Sequence, residues 1–407
     1  MSFQQGLSGL NAASKNLDVI GNNVSNASTV GFKQGQAQFA DLYANSLSGS
    51  GGSQVGIGVK VAQVTQQFTQ GNISTTNNPL DIAINGGGFF RMDNGGEITY
   101  QRNGQFQLDK FGFIVNPTGS KLTGYTANSS GVLSTGAAAP LSINTADLPP
   151  QITSEVNALL NLDSGSPDIP ALPAFNVADP TTYTNSTAVT VYDSLGNDQT
   201  LQMFYVKQPG SNWNVYAAND GTVINGGAPI TSLSFDSSGV LTTVPMPVSV
   251  PVPATAVGAT TPFPVAVDFT GTTQFGANFS VNTLSQDGYT SGRLAGFDLA
   301  ADGIVLGRYT NGQTAVLGQV VLAGFANPNG LQPLGNNQWV ETSTSGVPLV
   351  GAPDSGSLGV LQSRAVEDSN VDLTAELVNM ITAQRMYQAN AQTIKAQDEV
   401  LQTLVNL

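Results

Sequence analysis

The chain predicts a mostly β fold with an α-helix at each end. The two terminal helices are expected to form a coiled-coil domain, with two nested β-domains between them. Three observations predict this. Apolar residues recur at heptad spacing at both ends, strand-like alternation starts near residue 80, and an acidic stretch flanked by prolines interrupts the β region.

At the C-terminal end Leu373, Leu377, Met380, Gln384, Tyr387, Ala391, Ile394, Asp398, Leu401 and Val405 are spaced 4 and 3 in turn, and eight of the ten are apolar. Phe3, Leu7, Leu10, Ser14, Leu17, Gly21 and Val24 repeat that spacing, with five of seven apolar. A stripe recurring every 3.5 residues is the coiled-coil period, so each helix needs a helical partner along its length. No third segment of comparable length offers one. The two ends are therefore expected to pair with each other or with the ends of other copies, and the apolar members of both stripes, with Gln384, form the expected assembly interface. The first helix is expected over 2–24, ended by Gly21-Asn22-Asn23. The last is expected to open in a capping box, Ser369 as N-cap and Asp372 three residues on.

From Leu80 the apolar pattern has a period of two, through Ile82 and Ile84, Phe89 to Met92, and Ile98 to Gln101. Asn-Gly occurs six times, at Asn85, Asn94, Asn103, Asn225, Asn311 and Asn329, and between alternating runs it is the strongest short hairpin signal. Gly86-Gly87-Gly88 reads as a tight hairpin rather than a phosphate cradle, because no helix and no Lys-Ser/Thr follows it. Prolines cluster at 149–180 and again at 245–264, and proline is confined to linkers, edge strands or polyproline-like crossings. The expected domains are 1–40 with 364–407 (helical), 41–77 (irregular connector), 78–148 with 287–363 (first β-domain) and 149–286 (inserted outer β-domain).

Composition narrows the function. The 407 residues contain no histidine and no cysteine, which removes Ser-His-Asp and Cys-His catalysis, disulfides and the common zinc sites. Only 10% of residues are charged. Residues 1–121 hold seven bases and six acids, 122–292 hold one base and eleven acids, and 293–407 hold five bases and ten acids. A middle section so acidic is not expected to bind nucleic acid or an anionic membrane. No stretch is long and apolar enough to insert in a bilayer, and the first 25 residues lack the basic start and apolar core of a cleaved signal peptide. The acids at 193–198 and at 298–303 lack the alternating ladder of a calcium loop and read as turn residues. No catalytic, cofactor or metal site is expected.

Ser8-Gly9-Leu10-Asn11-Ala12-Ala13, the run Asn16 to Asn26 with Asn22 and Asn23, and Thr29-Val30-Gly31-Phe32-Lys33 resemble the N-terminal signature of bacterial flagellar rod and hook proteins. The runs Ser369 to Leu373, Glu376 to Ile381, Ala383 to Arg385 and Tyr387 to Ala391 resemble the C-terminal signature of the same axial family. Residues 80–90 and 316–331, and the total length, resemble its hook members. The resemblance implies a non-enzymatic subunit of the hook, leaving the cell through the flagellar type III export apparatus without a cleaved signal peptide. It also implies a homopolymer forming a curved hollow tube outside the cell, a universal joint between rod and filament. The partners implied are the distal rod, hook–filament junction and hook cap proteins. Asn22, Asn23, Asn26, Thr29, Gly31, Phe32 and Lys33 are the motif residues. A distal rod subunit or an extracellular β-rich adhesin are the alternatives; the first is disfavoured by the insertion, the second by having only Trp213 and Trp339.

Overall fold

The computed structural model describes residues 3–42, 56–128, 131–170, 174–243 and 246–405, the side chains of 404 and 405 excepted. They fall into two compact units, residues 1–145 with 296–308 and 314–407, and residues 146–295 with 309–313.

The first unit holds both helices, α1 over Phe3–Ser25 and α2 over Leu373–Val405. Gly21-Asn22-Asn23 does not end α1. Ser25 is its last residue, and Asn26 closes it by donating its backbone N–H to Asn22 O and its side-chain amide to Asn22 Oδ1 at 2.9 Å. Asn23 stays helical because its side chain is engaged from the side rather than along the axis. The N-cap of α2 is Asp372, not Ser369. Its Oδ1 accepts the N–H groups of Thr374 at 2.9 Å and Ala375 at 3.1 Å, two of the donors a helix start leaves orphaned.

Between the helices the chain is β. Gly35–Leu42 pairs antiparallel with Gly58–Gln66, so a two-stranded ribbon stands where an irregular connector was expected, and most of the 46–58 stretch lies outside the described residues. The main sheet runs in the order Thr314–Val320, Lys121–Thr126, Phe89–Asn94, Glu97–Gln101, Gln338–Val340 and Gln332–Gly335. Phe89 and Phe90 are both buried, which places this strand between two packed faces. Phe68, Phe89, Tyr100, Phe325 and Trp339 meet edge to face, with centroids 4.8 to 5.8 Å apart. The chain then returns: Val360–Ser363 pairs with Ile82–Asn85, and Ala365–Glu367 pairs with Ile73–Thr75. This return sets the start of α2 beside the end of α1.

The Asn-Gly reading needs correction. The hairpin 89–101 turns at Gly95-Gly96, both with positive φ, and Asn311-Gly312 lies in the turn between Ile304–Tyr309 and Thr314–Val320. Asn103-Gly104 joins no paired neighbours; a Cβ at Gly104 would meet Ile82 O at 1.6 Å, so glycine is required by close backbone passage. Gly86-Gly87-Gly88 is likewise no hairpin, since the strands on either side of it pair elsewhere and its backbone packs on residues 357–359.

The second unit is a β-sandwich. One sheet is built on Glu155–Asp163, parallel to Phe263–Asp268 and Thr273–Phe275 and antiparallel to Ser280–Gln286. The other carries Asn185–Tyr192, Asp198–Gln208, Asn212–Asn219 and Thr231–Ser234. Inward residues of both sheets form one core around Trp213, Tyr205, Phe263 and Phe269. Proline enters strands here. Pro251 lies in the edge strand Val248–Val252, opposite Pro264 in Phe263–Asp268, an inner strand. Pro264 is tolerated because pairing on its other side begins only at Ala266.

Candidate assembly interface

The helices α1 and α2 pack on each other, but not along the expected stripes. On α1 the residues facing α2 are small or polar except for Ile20 and lie one position before the apolar stripe: Gly6, Gly9, Ala13, Asn16, Ile20 and Asn23 in place of Leu7, Leu10, Ser14, Leu17, Gly21 and Val24. A Cβ on Gly6 would come to 3.0 Å from Ile394, and one on Gly9 to 2.9 Å from Asn390, so glycine lets these backbones approach. On α2 the buried residues are Glu376 and Ala383, seven apart, and Asn390 continues the row. The shift has a physical reason. Moving one residue along a helix turns about 100°, so the contact face and the leucine stripe are neighbours on the cylinder rather than the same face.

The leucine stripe is left largely uncovered. Phe3, Leu7, Leu373, Leu377 and Leu401 are each 44–50% exposed, and Gln384 and Tyr387 are exposed as well. Val378 and Ile381 widen the apolar patch, at 59% and 52%. Leu10, Leu17, Val24, Met380 and Ala391 are half-buried, as is Ile394, which meets Gly6; the side chain of Val405 lies outside the described residues. For a single subunit this is a costly arrangement, since each half-exposed leucine forgoes roughly half of the about 1.5–3 kcal/mol that full burial contributes.

The motif residues at 22–33 serve as a joint. Asn22 and Asn26 close α1, and Thr29 Oγ1 donates to Asn26 Oδ1 at 3.2 Å. Gly31 sits at φ +72° with its Cβ position 2.5 Å from Asn103 N, so only glycine fits. Phe32 lines a cavity of about 720 Å³ with Phe68, Leu331 and Trp339. Lys33 Nζ is fully buried, 2.6 Å from Glu367 Oε1, while Arg102 Nη1 meets Glu367 Oε2 at 3.1 Å. Lys33 also donates to Thr69 O at 2.8 Å and Arg102 Nη2 to Gly86 O at 2.7 Å. Burial holds the Lys33 ammonium below the usual lysine range, although Glu367 pulls it the other way. Next along, Gln34 Nε2 donates to Glu376 Oε1 at 2.7 Å, and Asn23 Nδ2 donates to Gly35 O at 2.8 Å. Asn370 adds a third tie, accepting from Gln34 N at 2.7 Å and donating to Gln67 O at 2.7 Å.

Arg102, Gln34 and Glu367 were not singled out by the sequence reading, and Asn370 and Glu376 entered it only as members of the C-terminal motif runs, with no role. Glu367 and Arg102 each stand as a rare charge in a chain with few of them, and that scarcity was the available signal. Of the acids expected in turns, Asp193 and Asp302 are engaged locally, whereas Asp298 lies within the strand Leu294–Leu299 and is held by side chains from elsewhere. Asp193 Oδ1 accepts from Leu195 N at 2.8 Å and Asn197 N at 3.0 Å, and Asp298 pairs with Arg308 and Arg364 at 3.1 and 2.9 Å. Among the described residues no helix is long and apolar enough to cross a membrane. No group of three or more acidic, cysteine or histidine residues among them is placed to hold a metal.

Helices assembled from both chain ends, a ribbon, a β-domain and an inserted sandwich define an axial subunit of the bacterial flagellum. Four sequence profiles match in turn: Flagella basal body rod protein at 3–33, Flagellar hook protein FlgE/F/G D1 domain at 83–157, Flagellar basal body protein FlaE D2 domain at 161–289, and Flagellar basal body rod FlgEFG protein C-terminal at 362–407. The flagellar hook protein FlgE of Salmonella typhimurium is 44% identical over 414 residues, and that of Escherichia coli 43% over 413, each covering 100% of both chains. That of Treponema pallidum is 33% identical over 460 residues, covering 100% of this chain and 99% of its own. The crystal structure of Helicobacter pylori flagellar hook protein FlgE2 shares the fold at a TM-score of 0.54 and 14% identity, covering 72% of this chain and 100% of that one. The chain belongs to the flagellar hook protein family.

Proposed function

We propose that this chain, a structural subunit of the flagellar hook, polymerises through its terminal helices into a curved hollow tube that links rod to filament as a universal joint. One observation carries the mode of assembly. The helices close mainly on small and polar residues, with Ile20 and Ile394, and leave Leu373, Leu377, Val378 and Ile381 outward, an apolar face that further copies cover. In this reading α1 and α2 of neighbouring subunits build a coiled-coil wall, and the inserted 149–286 domain is the outer one. The subunit is non-enzymatic and extracellular. It is exported as an unfolded chain by the flagellar type III apparatus, a route to which a cysteine-free sequence is suited. Its end contacts are with the distal rod, hook cap and hook–filament junction proteins. Electron microscopy of the concentrated pure protein tests the proposal: hollow tubes are expected, and a dispersed monomer at all concentrations would refute self-assembly.

A further inference from the structure

Beside the helix pair lies a cavity of about 580 Å³ walled mainly by amides, hydroxyls and small apolar groups, including Asn16, Gln36, Gln67 and Thr382. Glu376 is the one ionisable residue in that wall. It is 3% exposed, and its carboxylate accepts only from neutral donors: Gln34 Nε2 at 2.7 Å, Asn23 Nδ2 at 3.3 Å and Asn379 Nδ2 at 3.4 Å. No cation among the described residues reaches it. A carboxylate this deep is held by amides alone and has no cation beside it, so a cation brought into the cavity would find an acceptor without a counter-charge.

The complementary charge lies on the far side of the same helix. From Glu376 to Arg385 is nine residues, a net turn of about 180°, so Arg385 stands on the side of α2 opposite Glu376, past Thr382 and Met386 at the margin of the cavity. It is exposed, makes no ion pair or hydrogen bond among the described residues, and is the only charge on α2 between Glu376 and Lys395. Ile381 and Val378 lie one and two turns before it on that face. Covering the apolar face would strip water from Arg385 and make a carboxylate partner necessary.

We propose that Arg385 of one copy enters this cavity of a second copy and pairs with its Glu376. Donor and acceptor stand on opposite sides of α2, so we take the contact as head-to-tail: every copy offers both halves, and such a contact either closes a ring or propagates as an open helical polymer, the form the self-assembly reading requires. The inference rests on the self-assembly reading above and gives it a register.

Two measurements test it. In tubes of Arg385→Lys, mixed from light and isotopically heavy subunits, carbodiimide treatment and mass spectrometry should show the introduced amine joined to Glu376 across light and heavy chains. A link within one chain is excluded, because the two positions lie about 13 Å apart along the axis on opposite faces. Separately, Glu376→Gln and Arg385→Gln should each raise the critical concentration about tenfold, and the double variant no further, because both remove one interaction. Glu376→Gln keeps an amide oxygen for Gln34 but loses the acceptor facing Asn23, so its melting is read alongside that of Arg385→Gln, which alters an exposed side chain and should melt as the parent does. Tubes in which the introduced amine joins other carboxylates or none, or substitutions whose effects multiply or are nil, overturn the pair alone. Absence of tubes from the unmodified protein overturns the assembly reading, and the pair with it.

Discussion

Glu367 is the residue on which the charge balance of the first unit turns. It neutralises two cations at once, and the network brings together residues 33, 102 and 367 from three distant segments. Glu367→Gln leaves Lys33 and Arg102 buried together without a counter-charge, and should cost about 3–5 kcal/mol. Lys33→Met leaves the Glu367–Arg102 pair intact and should cost less, about 1–3 kcal/mol. Denaturant unfolding of both variants checks the order; a larger loss for Lys33→Met would show that charge balance does not govern the site.

The second unit carries residues that set acid and alkaline limits to its own stability. Burial acts to raise the Asp193 and Asp287 carboxyls, but hydrogen bonds outweigh it and hold both below the usual range: Asn197 and the 195–197 backbone at Asp193, Ser154 and the 154–155 backbone at Asp287. A depressed folded pKa means the unfolded chain takes up protons first. That stability is present above about pH 4 and is lost as pH falls through the folded values. Burial pushes the Tyr205 phenol upward. The native state then keeps a proton that the unfolded chain releases near pH 10, so stability falls as pH rises above about 10. With no histidine, no side chain has an ordinary pKa between about pH 5 and 8. In a Trp339→Phe variant Trp213 alone reports this unit, and its urea midpoint should be flat from about pH 5 to 9 and fall on either side. A step near neutrality would contradict this.

At the scale of elements, α2 serves two surfaces. Its inner row, Glu376, Ala383 and Asn390, meets α1, while Leu373, Leu377, Val378 and Ile381 face outward. A substitution on the outer row should separate folding from assembly. Leu377 is 46% exposed, so Leu377→Asp should leave the melting curve of the subunit within about 0.5 kcal/mol of the parent. In an assembled wall the same aspartate would be desolvated without a partner, at several kcal/mol per subunit, and polymerisation should fail. Normal tubes from Leu377→Asp, seen in micrographs, would place the interface elsewhere.

For the whole molecule, the inserted unit is separable on topological grounds. Its ends are tied by the bridges Leu148–Gly292 and Gln151–Tyr289, so deleting 149–286 leaves Leu148 and Gly292 joined by a short loop. The helices, the ribbon and the main sheet are untouched. The deleted chain should still be exported and should polymerise. Curvature requires subunits on the two sides of a bend to take different spacings, and the outermost contacts lie where small tilts give the largest displacements. Straighter, thinner tubes are therefore expected in micrographs beside the parent. Unchanged curvature would move the bending switch inward; loss of polymer would place the insertion in the assembly core.

Heptad spacing announced two terminal helices, alternation announced strands from Leu80, and the end motifs carried the family, because period and motif are properties of residues close together in the chain. Which face of each helix meets the other was not readable that way. Gly6 and Gly9 carry no apolar signal and Ala13 only a weak one, yet they form the contact because small side chains let backbones approach, and closeness is known only once both helices are in place. The same holds for Asn103-Gly104, a hairpin by local propensity that is spent instead on letting the chain pass Ile82, and for Asp372, which takes the N-cap from Ser369 because α2 starts one residue after it. Lys33, Arg102 and Glu367 are ordinary surface charges when read singly. Only folding brings three segments to one buried point, and there burial makes each cation depend on the single carboxylate they share.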